Sequence, residues 1–207
     1  MQSRLIGDLL DLTRLTRGKL EIELRPLDLH LLLAEAVRTA GIDRQLVGPT
    51  PTLHLKAQET RIQGDRDRLL QVFWNILRNA AKFTPADGHI EIDTLNSAPG
   101  RIAVRIRDNG VGLTAESLER IFHPFEQAGR ETNRKHGGLG LGLAIARGIV
   151  ELHDGTLIGE SAGLGEGTTF TVDLPVVSRD ALPSSSRRSG IDRPARSSVN
   201  RPPVGVA

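Results

Sequence analysis

Apolar positions along the chain follow a helical period in some segments and alternate with polar positions in others. Residues 1–18 carry one apolar stripe at helical spacing, which predicts a helix that packs one face against a partner. Gly18 ends this helix, and an alternating run over residues 20–24 predicts a strand that stops before Pro26. The first helix is therefore expected to be separable from the domain that follows.

The longest helical pattern covers about residues 64–83. Shorter helices are predicted after Asp28, which suits an N-cap, from Thr114, and over residues 142–153. Further strands are predicted over residues 52–57, 61–63, 89–96, 101–108, 156–161 and 168–174. This mixed order predicts an α+β fold: a two-layer α/β sandwich with helices on one face of a mixed, mostly antiparallel sheet.

Composition divides the chain into three parts. Residues 1–18 form the first helix, residues 19–176 the folded domain, and residues 177–207 a tail rich in Ser, Arg and Pro that is expected to be disordered. Within the domain, the segment from Glu126 to Leu139 is polar, contains glycine and lacks an apolar period, so we expect a mobile loop there.

The basic charge of the chain lies mostly in this tail. The sequence has 27 Lys and Arg against 25 Asp and Glu, and six of the arginines but only two of the aspartates follow residue 176. The rest of the chain is slightly acidic, so it offers no basic surface for nucleic acid. The chain has no cysteine and no apolar stretch of about 18 residues, and we expect a cytoplasmic protein whose segment here makes no membrane contact.

A row of polar side chains shares one face of the long predicted helix. The row comprises Gln71, Asn75, Arg78, Asn79 and Lys82. A solvated helix face has the same spacing, but each asparagine costs about half a kcal/mol relative to alanine in a helix interior. Amide oxygens suit a hard cation such as Mg²⁺, and a lysine one turn away suits phosphate oxygens. This face is therefore a candidate metal and phosphate site.

Asp108 ends a predicted strand and is followed by Gly110 and Gly112. On its own this sequence is typical of a turn. At a strand end, however, a carboxylate can accept a hydrogen bond from the exocyclic amine of a ligand, and the glycines let the backbone come close to that ligand.

A third cluster alternates glycine with leucine and leads into a helix. It runs Gly137, Gly138, Leu139, Gly140, Leu141, Gly142 and Leu143. A glycine-rich linker is one interpretation, but backbone N–H groups at the positive end of a helix dipole also form an anion site suited to phosphate. No Lys-Ser or Lys-Thr follows, which excludes a Walker loop. A fourth segment, Gly165 to Phe170, is by itself only a turn into a strand.

In this order and spacing, the four clusters resemble the histidine-kinase branch of the GHKL ATPases, a group shared with type II topoisomerases, a heat-shock chaperone and mismatch-repair proteins. The resemblance covers about residues 1–176. It implies the ATP-binding catalytic domain of a two-component sensor histidine kinase, which acts in phosphorelay signal transduction with ATP and Mg²⁺.

The resemblance also implies roles for individual residues. Asn75, Asn79 and Lys82 are the implied catalytic residues, with Asn79 as the Mg²⁺ ligand and Lys82 at the phosphates. Asp108 would bind the adenine amino group, and Phe125 belongs to an aromatic segment under a lid. The implied ATP-binding set is Asn79, Lys82, Asp108, Gly110, Gly112, Phe125, Gly138, Leu139, Gly140, Leu141, Gly142, Thr168 and Thr169.

Asn75 separates kinases from free ATPases within this group. The hydrolysing members carry at this position a glutamate that activates water, four residues before the metal asparagine. Without that base, attack by water is disfavoured, which suits an enzyme that passes the γ-phosphoryl group to a side chain.

The N-terminal helix resembles the end of the second helix of a dimerisation and phosphoacceptor hairpin. None of the six histidines is followed by the acidic residue and later proline of the usual acceptor motif, so we expect an acceptor histidine on a helix outside this chain. The implied partners are that helix, a response-regulator receiver domain and, as a possible homodimer, a second copy of the chain.

Two other functions stay open at this stage. One is a truncated module that binds nucleotide, or a partner helix, without phosphorylating anything. The other is a serine kinase of the anti-sigma type, which would share the nucleotide site but would not explain the N-terminal helix.

Overall fold

The computed structural model describes residues 2–42, 49–126 and 139–177. In chain order, its helices and strands are α1 (Gln2–Thr16), β1 (Arg25–Asp28), α2 (Leu29–Ile42), β2 (Thr52–Leu55), β3 (Arg61–Gly64), α3 (Arg66–Phe83), β4 (Ile90–Ala98), β5 (Arg101–Asp108), α4 (Ala115–Arg120), α5 (Gly142–Leu152), β6 (Thr156–Glu160) and β7 (Thr168–Pro175).

Five strands form one mixed sheet in the order β2-β4-β5-β7-β6. The β2-β4 pair is parallel, and the other neighbours are antiparallel. Side chains alternate between a buried and a more exposed face, most regularly along β7. Strands β1 and β3 form a separate antiparallel pair. The predicted α+β fold with a mixed, mostly antiparallel sheet is confirmed.

Helix α3 lies at the centre of the helical layer because one of its sides is apolar along its whole length. The Asp65 carboxylate caps its N-terminus by accepting from the N–H groups of Asp67 and Arg68 at 3.1 and 3.2 Å. The helix contacts α2, α5 and β5. At its other end, the N–H of Val111 donates to the Phe83 carbonyl at 3.1 Å, which joins the end of α3 to the loop after β5.

Helix α1 packs on this domain. Leu15 lies over Gly148 of α5, where an added Cβ would be 3.0 Å from the leucine side chain. The Asp11 carboxylate accepts from Arg68 and Gln71 of α3 at 2.7 and 2.9 Å. The helix that was expected to be separable is thus packed against the domain in the structure, while the domain boundaries at residues 18 and 176 stay predictions.

One predicted strand is wrong in position. The run over residues 20–24 is not a strand, and the strand here is β1, which begins at Arg25 and contains Pro26. Proline lacks an N–H and is tolerated in a strand with a free edge. Among the described strands β1 has one neighbour, β3, so an edge position explains why Pro26 does not end the strand.

Two predicted segments lie mainly outside the described residues: the loop from Glu126 to Leu139 and the tail after residue 177. No helix within the three described ranges has the length and hydrophobicity that a bilayer crossing requires.

Candidate nucleotide site

Asp108, the last residue of β5, is buried, and its two carboxylate oxygens have different surroundings. Oδ1 accepts from the N–H groups of Gly110 and Thr168 at 2.9 and 3.3 Å. Oδ2 accepts from no group of the described residues and is not sealed from solvent. Burial raises the pKa of Asp108 above its ordinary value, although the two N–H groups act in the opposite direction. The site therefore presents one fixed and one open acceptor oxygen at a strand end.

Backbone passes close to Asp108 from two directions, and glycine allows it. A Cβ on Gly110 would lie 2.3 Å from the carbonyl oxygen of Phe83, at the end of α3. Gly167 has φ +71°, and a Cβ there would lie 2.0 Å from the Asp108 carbonyl oxygen. The end of α3 and the turn before β7 thus form a wall of backbone around the carboxylate.

Ser161 links the loop after β5 to the turn before β7, and this role was not predicted from the sequence. Its Oγ accepts from the N–H of Leu113 at 3.0 Å and donates to the carbonyl of Gly167 at 2.6 Å. The predicted residue Gly112 lies in the same loop, just before Leu113. A serine before a glycine-rich turn is too common to indicate a role by itself. Its partner Leu113 lies 48 residues away, so local sequence does not reveal the contact.

The two predicted threonines lie on opposite faces of β7. Thr168 is directly opposite Asp108 in the β5-β7 register and is buried with it. Thr169 is opposite Arg107 and is less buried, because successive strand side chains alternate. The structure therefore brings Thr168 to the Asp108 cluster and separates Thr169 from it.

The polar face of α3 is divided among different contacts. Gln71 is used by α1, as described above. Asn75 is 6% exposed, and its Nδ2 donates to the Gly142 carbonyl at 3.1 Å.

Asn79, one turn after Asn75, is half-buried and makes no hydrogen bond within the described residues. Lys82 is also half-buried, with its ammonium 4.5 Å from the centroid of the Phe83 ring. Asn79 and Lys82 thus lie on the part of α3 nearest the Asp108 cluster.

Desolvation lowers the pKa of Lys82 below its ordinary value of 10.5, and the neighbouring Arg78 adds to the effect. Arg78 itself turns to the ring of Trp74, with 5.3 Å between its guanidinium carbon and the ring centroid. A partly desolvated ammonium interacts more strongly with a phosphate than an exposed one does.

The lowered pKa of Lys82 predicts a pH dependence of ATP binding. In the role at the phosphates that the resemblance implies for Lys82, phosphate oxygens would favour its charged form. ATP affinity is therefore expected to fall as pH rises through the lowered pKa, whereas adenosine affinity stays flat. Lys82→Met should bind ATP more weakly and lose this fall. Titration calorimetry across the alkaline range measures both. Lys56→Met, at an exposed lysine, is the control, and an ATP pH profile unchanged in Lys82→Met would contradict the prediction.

The start of α5 contains the predicted glycine segment. Gly142 is the first helical residue, and no side chain caps the helix there, so the N–H groups of its first turn are open to an anion. Leu141 is 2% exposed and belongs to the core, which leaves only its backbone for a ligand. Leu139 is exposed. The predicted Gly138 lies outside the described residues.

The predicted aromatic segment runs from Phe122 to Phe125 and contains one core residue and one exposed residue. Phe122 packs edge to face on Phe170, with ring centroids 6.5 Å apart. Phe125 is 60% exposed and has φ +67°, and its N–H donates to the Gly140 carbonyl at 3.2 Å. The predicted residue Phe125 therefore lies beside the glycine segment, where it adjoins the start of α5.

One end of this α/β sandwich carries three features: an open carboxylate oxygen, an amide and an ammonium on one helix, and the uncapped start of a second helix. Such a combination defines a class of nucleotide-binding domains. The chain belongs to the histidine kinase-, DNA gyrase B- and HSP90-like ATPase family, whose sequence profile matches residues 64–178.

Within that family, several similar proteins are histidine kinases. Histidine protein kinase DivJ of Caulobacter vibrioides is 35% identical over 173 residues, which cover 84% of this chain and 28% of DivJ. Sensor protein kinase WalK of Staphylococcus saprophyticus is 31% identical over 176 residues, 83% of this chain and 28% of WalK. The structure of full-length ShkA in complex with AMPPNP matches with a TM-score of 0.71 and 27% identity, over 84% of this chain and 36% of ShkA.

These similarities identify the catalytic domain as that of a two-component sensor histidine kinase. The chain spans less than a third of the length of DivJ and of WalK.

Proposed function

We propose that this chain binds ATP with Mg²⁺ and transfers the γ-phosphoryl group to a histidine on a helix outside the chain. The observation that supports this most is the open Oδ2 of Asp108, an acceptor at a strand end that has no donor among the described residues and that a ligand N–H can reach. The exocyclic amine of adenine is such a donor. Thr168, opposite Asp108, would line the same side of the base.

The phosphates would extend from this point toward α3 and the start of α5. Lys82 would neutralise part of their charge, and the open N–H groups at the start of α5 would donate to phosphate oxygens. Gly140 and Leu139 would bring backbone close to them, and Phe125 would border the site. We also propose Gly138 and Thr169 for the nucleotide only on the family resemblance, since Thr169 faces away from Asp108.

Asn79 would be the protein ligand of Mg²⁺. Its amide oxygen is a hard donor and has no competing hydrogen bond among the described residues. No group of three or more Asp, Glu or His within the described residues could hold a metal ion alone, so the ion would depend on the nucleotide phosphates as well. When bound, Mg²⁺ supplies charge neutralisation at the phosphate oxygens.

In the proposed reaction, the unprotonated nitrogen of a neutral imidazole attacks the γ-phosphorus. The N–P bond forms as the bond to the β,γ-bridging oxygen breaks, ADP leaves with that electron pair, and the imidazole N–H proton passes to solvent. Lys82 and the N–H groups of α5 would hold the phosphates in place during this step. A receiver-domain aspartate would then take the phosphoryl group, and a second copy of the chain is a further proposed partner.

Phosphotransfer can be tested with a separately expressed acceptor hairpin and γ-labelled ATP. We expect acid-labile, base-stable label on the histidine of the hairpin, and its loss when that histidine or Asn79 of this chain is replaced by alanine. ATP binding without any label on the hairpin would contradict the kinase function and support the nucleotide-binding module. Acid-stable label on a serine would support a serine kinase instead.

A further inference from the structure

The hydrogen bond between Asn75 and Gly142 joins the two helices that carry the proposed phosphate site. Asn75 lies in the middle of α3, and Gly142 is the first residue of α5, 67 residues further along the chain. A buried amide in a helix interior is unfavourable both for helix propensity and for desolvation unless it finds a partner. The Gly142 carbonyl provides that partner, so this pair fixes where α5 begins relative to α3.

The start of α5 is fitted closely to its neighbours on both sides. A Cβ on Gly142 would lie 3.3 Å from the amide carbon and oxygen of Asn75. Just before the helix, Gly140 has φ +70°, and a Cβ there would lie 2.4 Å from the carbonyl oxygen of Glu126. A small shift of α5 would therefore break the Asn75 bond or produce a clash, because packed interiors have little free space.

We infer that Asn75 is a positioning residue for the phosphate end of the nucleotide and acts through the carbonyl of Gly142. The bond sets the distance between the open N–H groups of α5 and the two groups further along α3, Asn79 and Lys82. All of these groups must reach one triphosphate. Displacing one of them by about 1 Å would strongly weaken their joint contact with it. The inference rests on the proposed function and assigns Asn75 a role other than that of a metal ligand.

Asn75→Asp distinguishes the two roles. The aspartate keeps an oxygen for Mg²⁺, and a carboxylate is the better ligand for that ion. An ionised aspartate cannot donate to the Gly142 carbonyl. A positioning role therefore predicts that Asn75→Asp binds Mg²⁺-ATP as weakly as Asn75→Ala does. We expect both variants to bind Mg²⁺-ATP about tenfold more weakly than the wild type, since one partly buried hydrogen bond is lost, and to bind adenosine within about twofold of the wild type.

The experiment is calorimetric titration of the full chain and its variants with adenosine, ADP and Mg²⁺-ATP, alongside their melting temperatures. Gln71→Ala is the control, because Gln71 is the amide one turn earlier on α3 and bonds to α1. It should leave the ratio of ATP to adenosine affinity unchanged. Gly142→Ala is a second variant, which gains helix propensity and should lower the ATP affinity selectively even if the Asn75 variants fail to fold.

Two results would overturn the inference. One is wild-type affinity for Mg²⁺-ATP in Asn75→Asp together with a loss in Asn75→Ala, which would make Asn75 a metal ligand. The other is an equal loss of adenosine and ATP binding, which would make its role one of general stability. A wild-type chain that binds no nucleotide would instead refute the proposed function itself, and the inference with it.

Discussion

Asp108→Asn is expected to weaken ATP binding by about 10- to 100-fold without lowering the melting temperature. The loss corresponds to one hydrogen bond to a charged group. The asparagine oxygen can still accept from the N–H groups of Gly110 and Thr168, but an NH₂ group then replaces the open Oδ2 and faces the adenine amine donor to donor. Titration calorimetry and thermal unfolding measure the two effects. Asp87→Asn, at an exposed position, controls for the change in net charge.

The stability part of this prediction follows from the sign of the pKa shift. The folded-state pKa of Asp108 is raised above its ordinary value of 3.8, so the fold favours the uncharged form. Its contribution to the free energy of unfolding is therefore full below pH 3.8 and is lost as pH rises through the raised pKa. At neutral pH the variant escapes the burial of a charge. A melting temperature that falls well below that of Asp87→Asn would contradict this.

The binding part has its own pH dependence. In the proposed site, adenine donates to the ionised carboxylate, so ATP affinity should decrease as pH falls toward the raised pKa of Asp108. Asp108→Asn should lack this decrease, because it has no group to protonate there. An Asp108→Asn variant that binds ATP as tightly as the wild type would remove Asp108 from the site.

Gly167→Ala is expected to cause the largest loss of stability, about 3 kcal/mol or more in the free energy of unfolding. The new Cβ would lie 2.0 Å from the Asp108 carbonyl oxygen, so the turn must move away from β5. At about 2–4 °C per kcal/mol for a domain of this size, the melting temperature should drop by roughly 6 °C or more. ATP affinity should fall as well, because Thr168 and its N–H follow Gly167 directly.

Gly165→Ala is the matched control. Gly165 lies in the same turn and also has positive φ, +84°, but a Cβ there would meet nothing within 4 Å. Its cost should be only that of alanine in a left-handed conformation, about 1–2 kcal/mol. Equal losses in the two variants would show that conformational strain, and not the approach to Asp108, explains the effect.

Local pattern predicted most of the elements because each carries its own periodicity and end signals. The long helix α3, with Asp65 as its cap, and the β4-β5 hairpin are formed where the sequence predicted them. The error at β1 arose because apolar and polar residues alternate more regularly over residues 20–24 than over Arg25–Asp28. What decides that position is pairing with β3, a long-range contact that local alternation does not encode.

The site was predicted less completely, for the same reason. Asp108 and Thr168 were both predicted from sequence, and their register explains why they meet. The bond from Asn75 to Gly142 and the ties made by Ser161 depend on residues far apart in sequence. Leu141 was predicted for the site, but its side chain belongs to the core although it lies inside the glycine segment.

The most direct test is a crystal structure of the chain with Mg²⁺ and a non-hydrolysable ATP analogue. The distance to measure is that between the exocyclic nitrogen of adenine and Oδ2 of Asp108. We predict a hydrogen bond there, with the triphosphate between the start of α5 and Asn79. A nucleotide bound with its base away from Asp108 would contradict the central claim.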